Sequence, residues 1–195
     1  MKKIVLASNN PGKLREIRAL LPMEVVLQSE LAIPEADEPH DTFLENALAK
    51  ARHASRATGL PALADDSGLC VAALAGEPGV HSAYFAGREG GREERDARNN
   101  AKLVAALRPQ LDRSGFYYCV LVLVRSPADP TPLVTEGRWH GAIALEPRGT
   151  NGFGYDPYFV PRGESRSAAE MAPGEKNRVS HRGQALAALA ARLRS

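Results

Sequence analysis

The longest apolar run in this chain, the nine residues from Phe116 to Val124, sets the strongest limit on how the chain folds. A helix that crosses a bilayer needs about 20 apolar residues, so this run is too short to span a membrane as a helix. It is instead the strongest strand prediction in the sequence. A proline-containing turn at 127–130 separates it from Pro132 to His140, which we predict to be its hairpin partner.

Helices and strands alternate before this hairpin. Short strands are predicted at Lys3 to Ala7 and at Val25 to Leu27. Between them apolar residues recur at helical spacing from Leu14 to Leu21, and Pro22 closes that helix. Another short apolar segment, Pro61 to Ala64, leads into two aspartates.

Three longer helices are predicted. The first is amphipathic and extends from Thr42 to Thr58, with Gly59 where a C-terminal cap belongs. The other two extend from Glu93 to Leu107 and from His181 to Arg194. The apolar face of the first comprises Leu44, Ala47, Leu48, Ala51 and Ala54.

The remaining segments complete the fold prediction. A further short strand is predicted at Gly141 to Leu145, and helical content from Ser167 to Met171 within a Gly- and Pro-rich stretch. The predicted fold class is therefore α/β, a mixed twisted sheet with flanking helices. We expect a single domain over residues 1–195, formed as two lobes around a substrate cleft.

Composition excludes several classes of function. With 44% hydrophobic and 25% charged residues in 195, the chain is an ordinary globular protein whose core needs no metal or disulfide. A net charge of +2 opposes bulk affinity for nucleic acid or for an anionic membrane. Cys70 and Cys119 form no CxxC pattern, and the lysines at the start precede only four apolar residues. We therefore expect a reduced, cytoplasmic protein without a signal peptide.

Ser8 to Lys13 lies between a predicted strand and a predicted helix. A helix N-terminus offers unpaired backbone N–H groups and a positive dipole end, which suit a phosphate, and Lys13 adds a cation. The segment is not a Walker A loop, because Leu14 follows the lysine where Ser or Thr belongs. The alternative is a turn with a Ser or Asn cap and a solvated lysine.

Two acidic segments suggest hard-metal chemistry. In Asp65-Asp66-Ser67-Gly68, adjacent carboxylates at a strand end point to opposite faces, so one can hold Mg²⁺ or accept a proton while the other anchors a turn. A simple Asx turn is the alternative. The loop carrying Glu35, Asp37, Glu38 and Asp41 could supply a second metal ligand, or be a solvated surface.

Two segments towards the C-terminus suggest nucleotide binding. Gly152 to Pro157 places flexible glycines around Phe153, Tyr155 and Asp156, which suits stacking on a nucleobase or a turn with a buried aromatic plug. Lys176 to Arg182 opens the last helix with several cations. Because the helix dipole disfavours cations at that end, a compensating anion is expected there.

Taken in order, these segments resemble the inosine triphosphate pyrophosphatase family, which removes non-canonical purine nucleoside triphosphates. The motifs are LASNNPGK at 6–13, TFLENALAKAR at 42–52, LADDSGL at 63–69 and PGVHSA at 78–83. They continue with GFGYDPYF at 152–159 and EKNRVSHRGQAL at 175–186. The resemblance covers essentially the whole chain.

The resemblance implies a role for each matching residue. Asp66 is the catalytic carboxylate that activates water, and it holds Mg²⁺ together with Glu38. Lys13 is the main charge on the triphosphate, and Phe153 stacks on the purine. The substrate-binding set is Ser8, Asn9, Asn10, Pro11, Gly12, Lys13, Ser67, Phe153, Gly154, Tyr155, Asp156, Lys176, His181 and Arg182, of which the last three read phosphate and the 6-oxo group.

The implied reaction is Mg²⁺-dependent hydrolysis of ITP, dITP or XTP to the monophosphate and pyrophosphate by a cytoplasmic homodimer. The alternatives are a pyrophosphatase of the related septum-inhibitor group, although its Pro-Arg-Arg run is absent, and a sensor that binds purine phosphates without turnover. The third alternative is a nucleic-acid-binding protein that uses the arginines near 88–98. Acidic residues alternate with these arginines, which favours a solvated helix surface instead. We expect a nucleotide as partner, and neither nucleic acid nor membrane.

Overall fold

The structure, a computed structural model, describes residues 3–21 and 23–194. Pro22, which we predicted to close the first helix, lies outside the described residues. Six strands form one sheet: β1 (Lys3–Leu6), β2 (Glu24–Leu27), β3 (Ala62–Val71), β4 (Ser114–Val124), β5 (Leu133–Ile143) and β6 (Phe159–Pro161). The described residues also form five α-helices: α1 (Pro11–Leu20), α2 (Phe43–Thr58), α3 (Arg92–Leu107), α4 (Pro173–Val179) and α5 (His181–Arg194).

The sheet is mixed, as predicted. Its strand order is β2-β1-β3-β4-β5-β6. Strand β1 is parallel to both neighbours, with Leu6 opposite Leu27 and Leu63, whereas β5 and β6 are antiparallel, with Ile143 opposite Phe159. The α/β class with flanking helices is therefore confirmed.

Contacts within the chain group its residues into two compact units. The first unit comprises the described residues of Met1–Asp66, Cys119–Gly137 and His181–Ser195, and the second comprises Ser67–Tyr118 and Arg138–Ser180. The expected single domain, with its lobes around a substrate cleft, stays a prediction.

The first unit has its own hydrophobic core. Helix α1 packs against α5 and β2, and α2 packs against β1. The apolar spacing that predicted α1 and α5 places these side chains inside. The core consists of Ile4, Leu6, Leu14, Ile17, Leu21, Val25, Leu63, Cys119, Leu121, Leu123, Ala185, Leu186, Leu189 and Ala190.

The second unit has a separate, more aromatic core. Tyr117 and Trp139 each contact Phe159, with ring centroids 4.7 and 5.2 Å apart. The core consists of Leu69, Val71, Leu103, Leu107, Tyr117, Trp139, Ile143, Tyr155, Phe159, Ala168 and Met171. No helix in the described part of the chain is long and apolar enough to cross a membrane.

Several element predictions need correction. Leu44, predicted on the buried face of α2, is 45% exposed, and the buried face carries Asn46, Lys50 and Ser55 beside the alanines. The separate strand predicted at Gly141 to Leu145 is instead the end of β5. A Cβ at Gly141 would lie 2.3 Å from the Val160 carbonyl oxygen, so glycine there permits the close approach of β6. Neither β6 nor α4 was predicted.

Candidate active site

The two adjacent aspartates lie within β3 rather than at its end. The strand continues from Ala62 to Val71, so no turn forms at Asp65-Asp66-Ser67-Gly68, contrary to the prediction. Successive side chains of a strand point to opposite faces. Asp65 and Asp66 accordingly contact different cations, and half-buried Ser67 follows them on the same strand.

Asp65 is fully buried and contacts two cations of the first unit. Its Oδ1 lies 2.6 Å from the Lys13 ammonium, and its Oδ2 accepts a 2.6 Å hydrogen bond from Nε of Arg182. Burial opposes ionisation, but Arg182 and Lys13 outweigh it and hold the pKa of Asp65 well below its ordinary value. Arg182 also donates to Glu16 at 2.5 Å, so α1, β3 and α5 share one buried charge network.

Asp66 shares the buried ammonium of Lys50 with Glu38. The Nζ atom of Lys50 lies 2.8 Å from Asp66 Oδ1 and 2.6 Å from Glu38 Oε1. Burial opposes the charge on Lys50, but the two carboxylates together raise its pKa. For Asp66, burial is the largest effect and raises the pKa despite Lys50 and Lys13, and the neighbouring Glu38 carboxylate raises it further.

One buried oxygen of this carboxylate pair has no hydrogen-bond partner among the described residues. Asp66 Oδ2 is buried and makes no hydrogen bond to any described residue. A buried carboxylate oxygen without a partner is costly, and a divalent cation would satisfy it. No group of three or more His, Cys, Asp or Glu side chains among the described residues could hold a metal alone. Because Mg²⁺ is commonly bound by one or two carboxylates together with substrate phosphates, Glu38 and Asp66 fit it.

The start of α1 has the capped-turn geometry that was the alternative prediction. Asn10 is the N-cap residue, and its side chain accepts hydrogen bonds from the backbone N–H groups of Gly12 and Lys13 at 2.9 and 3.3 Å. Ser8 Oγ in turn accepts from the Asn10 N–H at 3.1 Å, while Asn9 and Pro11 are exposed. Lys13 is not solvated as that alternative supposed, since its ammonium is held by Asp65. Phosphate binding at Ser8 to Lys13 stays a prediction.

The second unit contains the predicted base-binding segment. Asp156 is buried, and its Oδ2 accepts hydrogen bonds from the Lys176 ammonium at 2.5 Å and from the Phe153 N–H at 2.8 Å. The half-buried Phe153 ring lies beside two cations, 4.7 Å from the Arg92 guanidinium and 5.3 Å from the Lys176 ammonium. Phe153 therefore presents an aromatic surface in a cationic setting.

Tyr155 is the buried aromatic of this turn. It belongs to the core of the second unit, and its hydroxyl donates to the Ser82 carbonyl at 2.8 Å. The turn with a buried aromatic residue is therefore present at Tyr155. The Phe153 ring is partly exposed, as the alternative prediction of nucleobase stacking requires. A direct contact of Tyr155 or of Gly154 with substrate stays a prediction.

The basic segment near the C-terminus divides between two helices. Lys176 lies on α4, and Ser180 separates it from His181 and Arg182, which begin α5. The predicted helix from His181 to Arg194 is confirmed, whereas Lys176 does not belong to its start, where we expected it. All three cationic or titratable side chains are buried rather than exposed. The compensating anions expected for the cations are carboxylates of the protein itself, Asp156 for Lys176 and Asp65 with Glu16 for Arg182.

Comparison with known proteins identifies the family of this chain. A sequence model described as the Ham1 family matches residues 4–192. The chain belongs to the Ham1 family. It is 62% identical to a dITP/XTP pyrophosphatase of Burkholderia pseudomallei (strain K96243), over 98% of this chain and 93% of that protein. Among solved structures it is similar to a HAM1 protein from Coxiella burnetii, at 48% identity and a TM-score of 0.91, covering 100% of this chain and 99% of that one.

Ham1 membership confirms the resemblance inferred from the motifs. The Staphylococcus aureus Ham1 protein is a more distant match, at 37% identity and a TM-score of 0.87 over 99% of this chain and 98% of that one. A dITP/XTP pyrophosphatase of Nitrosomonas europaea is 60% identical over 97% of this chain and 93% of that protein. The similarity therefore extends through both units of this Ham1 chain.

Three residues of the charge networks were missed or left without a role. Lys50 lies at helical spacing with Ala47, Ala51 and Ala54, and a lysine on an otherwise apolar face is the signal that could have identified it. Asp65 was predicted only to anchor a turn. Glu16 shows no distinguishing pattern in the sequence, because its partner Arg182 is 166 residues away.

Proposed function

We propose that this protein is a Mg²⁺-dependent pyrophosphohydrolase of non-canonical purine nucleoside triphosphates. The substrates are ITP, dITP and XTP, and the products are the nucleoside monophosphate and pyrophosphate. The observation that carries the proposal is the Glu38–Lys50–Asp66 arrangement, in which a buried Asp66 oxygen has no hydrogen-bond partner among the described residues, in a chain whose relatives are named dITP/XTP pyrophosphatases.

Glu38 and Asp66 are the proposed metal ligands. Bound Mg²⁺ would neutralise charge on the triphosphate. The ion pairs around the two aspartates agree with a cation bound together with an anion, because the described network joins four acidic side chains, Asp65, Asp66, Glu38 and Glu16, to Lys13, Lys50 and Arg182. A site for a bare polyanion would carry an excess of positive charge instead.

Asp66 is the proposed catalytic base. It orients or deprotonates the water that attacks the α-phosphorus, and the α–β anhydride bond breaks with pyrophosphate as the leaving group. Burial raises the pKa of Asp66, so its ionised carboxylate is a better proton acceptor than an ordinary one. Lys13 and Lys50, whose ammonium groups both contact the Asp65 carbonyl, are the proposed cations that stabilise the charge developing on the leaving group.

The remaining assignments concern recognition. Ser8 to Lys13 hold the triphosphate, and Ser67 contacts substrate beside Asp66. Phe153 stacks on the purine within the segment that Gly154, Tyr155 and Asp156 complete. Lys176, His181 and Arg182 read phosphate and the 6-oxo group. A donor facing O6 favours an oxo purine, because the 6-amino group of adenine would leave that donor without an acceptor.

A substrate panel with a pyrophosphate readout tests this function. With Mg²⁺, purified protein should release pyrophosphate from ITP, dITP and XTP much faster than from ATP or GTP. Asp66→Asn should lower the rate by ~100-fold or more, since a general base contributes that much or more. Binding of ITP without any product would support the sensing alternative, and release of orthophosphate would contradict the proposed bond cleavage.

The metal assignment has a matched control in the same loop. Glu38→Gln should raise the Mg²⁺ concentration needed for half-maximal activity, because it removes one anionic ligand. Asp37→Asn changes the neighbouring exposed carboxylate and should leave that concentration unchanged. Equal effects of the two variants would contradict a ligand role for Glu38.

We further propose a cytoplasmic homodimer. Cys70 and Cys119 are free thiols, which agrees with a reducing compartment. A partly exposed patch on β4 and β5 supports self-association: Phe116 contacts His140 at 5.4 Å between ring centroids, and Arg138 lies over the rings of Phe116 and Tyr118. Light scattering after size exclusion should give twice the 20.9 kDa chain mass. A monomer at micromolar concentration would contradict the proposal.

A further inference from the structure

Two side chains of helix α3 form hydrogen bonds with the backbone N–H and the backbone carbonyl of Gly154. The Gly154 N–H donates to Asp96 Oδ2 at 3.1 Å, and Asn100 Nδ2 donates to the Gly154 carbonyl at 3.0 Å. Asp96 and Asn100 are one helical turn apart and therefore share a face of α3. We propose that Asp96 and Asn100 are positioning residues of the base subsite, which fix the loop so that Phe153 is ready to stack on a purine. This inference rests on the proposed function.

The loop needs such support because glycines flank Phe153. Gly152 and Gly154 have φ values of +78° and +63°, a region that glycine enters freely and other residues rarely. On one side of Phe153, the backbone N–H of Phe153 donates to the Asp156 carboxylate, which fixes that peptide. On the other side the Phe153 carbonyl accepts from the Asp156 N–H at 3.3 Å. Without α3, the N–H and carbonyl of Gly154 beyond this bond would keep more rotational freedom, and the orientation of the ring would vary. Two contacts from one rigid helix remove that freedom.

The chemistry required at the two helix positions is opposite. A carbonyl can only accept, so residue 100 must offer an N–H group, whereas residue 96 must offer an oxygen. Asn100 is 8% exposed, and its Oδ1 is buried without a hydrogen-bond partner among the described residues. Its contact with Gly154 is therefore the one that orients the amide. Arg92, one turn before Asp96 on the same face, lies 4.7 Å from the Phe153 ring.

Near-isosteric substitutions distinguish positioning from simple packing. Asn100→Asp keeps the size but replaces the donor with an acceptor facing the Gly154 carbonyl. Asp96→Ala removes the acceptor, and Asp96→Asn restores an oxygen. We expect Asn100→Asp and Asp96→Ala each to raise KM for ITP about tenfold, the effect of a lost hydrogen bond near the upper end of the usual range, with kcat changed less than about twofold. Asp96→Asn should recover most of the loss.

Binding of two ligands, one with a base and one without, distinguishes an effect on the base subsite from an effect on the phosphate site. The dissociation constant of inosine monophosphate, measured by calorimetry, should rise with KM in the same variants and requires no turnover. The inhibition constant of inorganic tripolyphosphate, which has no base, should stay unchanged in all of them. Glu93→Gln, an exposed carboxylate on the same helix, is the control for a change of charge on α3.

Several results would overturn the inference. One is an unchanged affinity for inosine monophosphate in Asn100→Asp and Asp96→Ala; another is an equal loss of tripolyphosphate affinity, which would indicate general disruption. If Asn100→Asp does not fold, as judged by thermal unfolding, the Asp96→Ala and Asp96→Asn comparison decides alone, because Asp96 is only partly buried. A wild-type protein that binds inosine monophosphate but does not cleave ITP overturns the proposed function only, and one that does neither overturns both.

Discussion

At the scale of single residues, Asp65 is the carboxylate on which the buried charge of the first unit depends. It neutralises Lys13 and Arg182, which are both largely buried. Asp65→Asn leaves these cations without their shared anion and should destabilise the protein by about 3–5 kcal/mol. Denaturant unfolding measures the difference. Glu24→Gln, which breaks the exposed ion pair with Lys3, should cost less than about 1 kcal/mol. Similar costs for the two variants would contradict this account.

The lowered pKa of Asp65 predicts that the free energy of unfolding depends on pH. The pKa of Asp65 in the folded state lies well below the value of 3.8 for an unfolded chain, so the folded state binds this proton less readily. The stabilisation from Asp65 is therefore complete above about pH 5 and is lost as the pH falls below 3.8 towards the folded-state pKa. Wild type and Asp65→Asn should differ in free energy of unfolding by a constant amount from pH 6 to 8 and by less below pH 4. A difference that grows on acidification would contradict the assignment.

The sequence predicted residue identities better than residue partners. Asp66, Lys13 and Lys176 were recognised from motifs, yet each was expected to face a substrate, and the structure gives each a partner within the protein. Local patterns cannot show such partners, because the contacts join residues as far apart as Asp65 and Arg182. The substrate roles of these residues remain proposals.

At the scale of elements, the beginning of α2 fixes the loop that carries Glu38. The buried Asn46 side chain accepts from the His40 N–H at 3.1 Å and donates to the His40 carbonyl at 3.0 Å. Asn46→Asp removes the donor, loosens the loop, and should raise the Mg²⁺ concentration for half-maximal activity about tenfold, as the loss of an outer-shell contact commonly does. Mg²⁺ titration of the initial rate measures this.

Thr42 provides the control on the same helix. Its hydroxyl caps α2 by accepting from the Glu45 N–H at 3.2 Å. Thr42→Ala should cost about 1 kcal/mol of stability and leave the Mg²⁺ requirement unchanged. If Thr42→Ala shifts the Mg²⁺ requirement as much as Asn46→Asp does, general loosening of α2 is the cause and the positioning role of Asn46 is wrong.

Elements with a strong local signal were predicted well, and those that depend on neighbours were not. Helices α2 and α5 match their predicted bounds within a residue, since periodicity and capping residues specify them. Strand β3 was expected to end at its aspartates, but it is hydrogen-bonded within the sheet, and its carboxylates are neutralised by cations from other elements. Strand β6 is three residues long and forms by pairing with β5, which no local pattern reveals.

At the scale of the whole molecule, the net charge of +2 averages over clusters that neutralise one another. Glu38 and the two aspartates face Lys13, Lys50 and Arg182, and Asp156 faces Lys176. These buried pairs add little to the external field, so the charge distribution favours local recognition of a metal–polyphosphate over bulk attraction to nucleic acid.

Product analysis of ITP cleavage in ¹⁸O-labelled water tests the central claim most directly. Attack of water on the α-phosphorus, with pyrophosphate leaving, predicts inosine monophosphate carrying the label and unlabelled pyrophosphate, as read by mass spectrometry and ³¹P NMR. Asp66→Asn should form both products at least ~100-fold more slowly. Inosine diphosphate with labelled orthophosphate, or label in the pyrophosphate, would contradict the account.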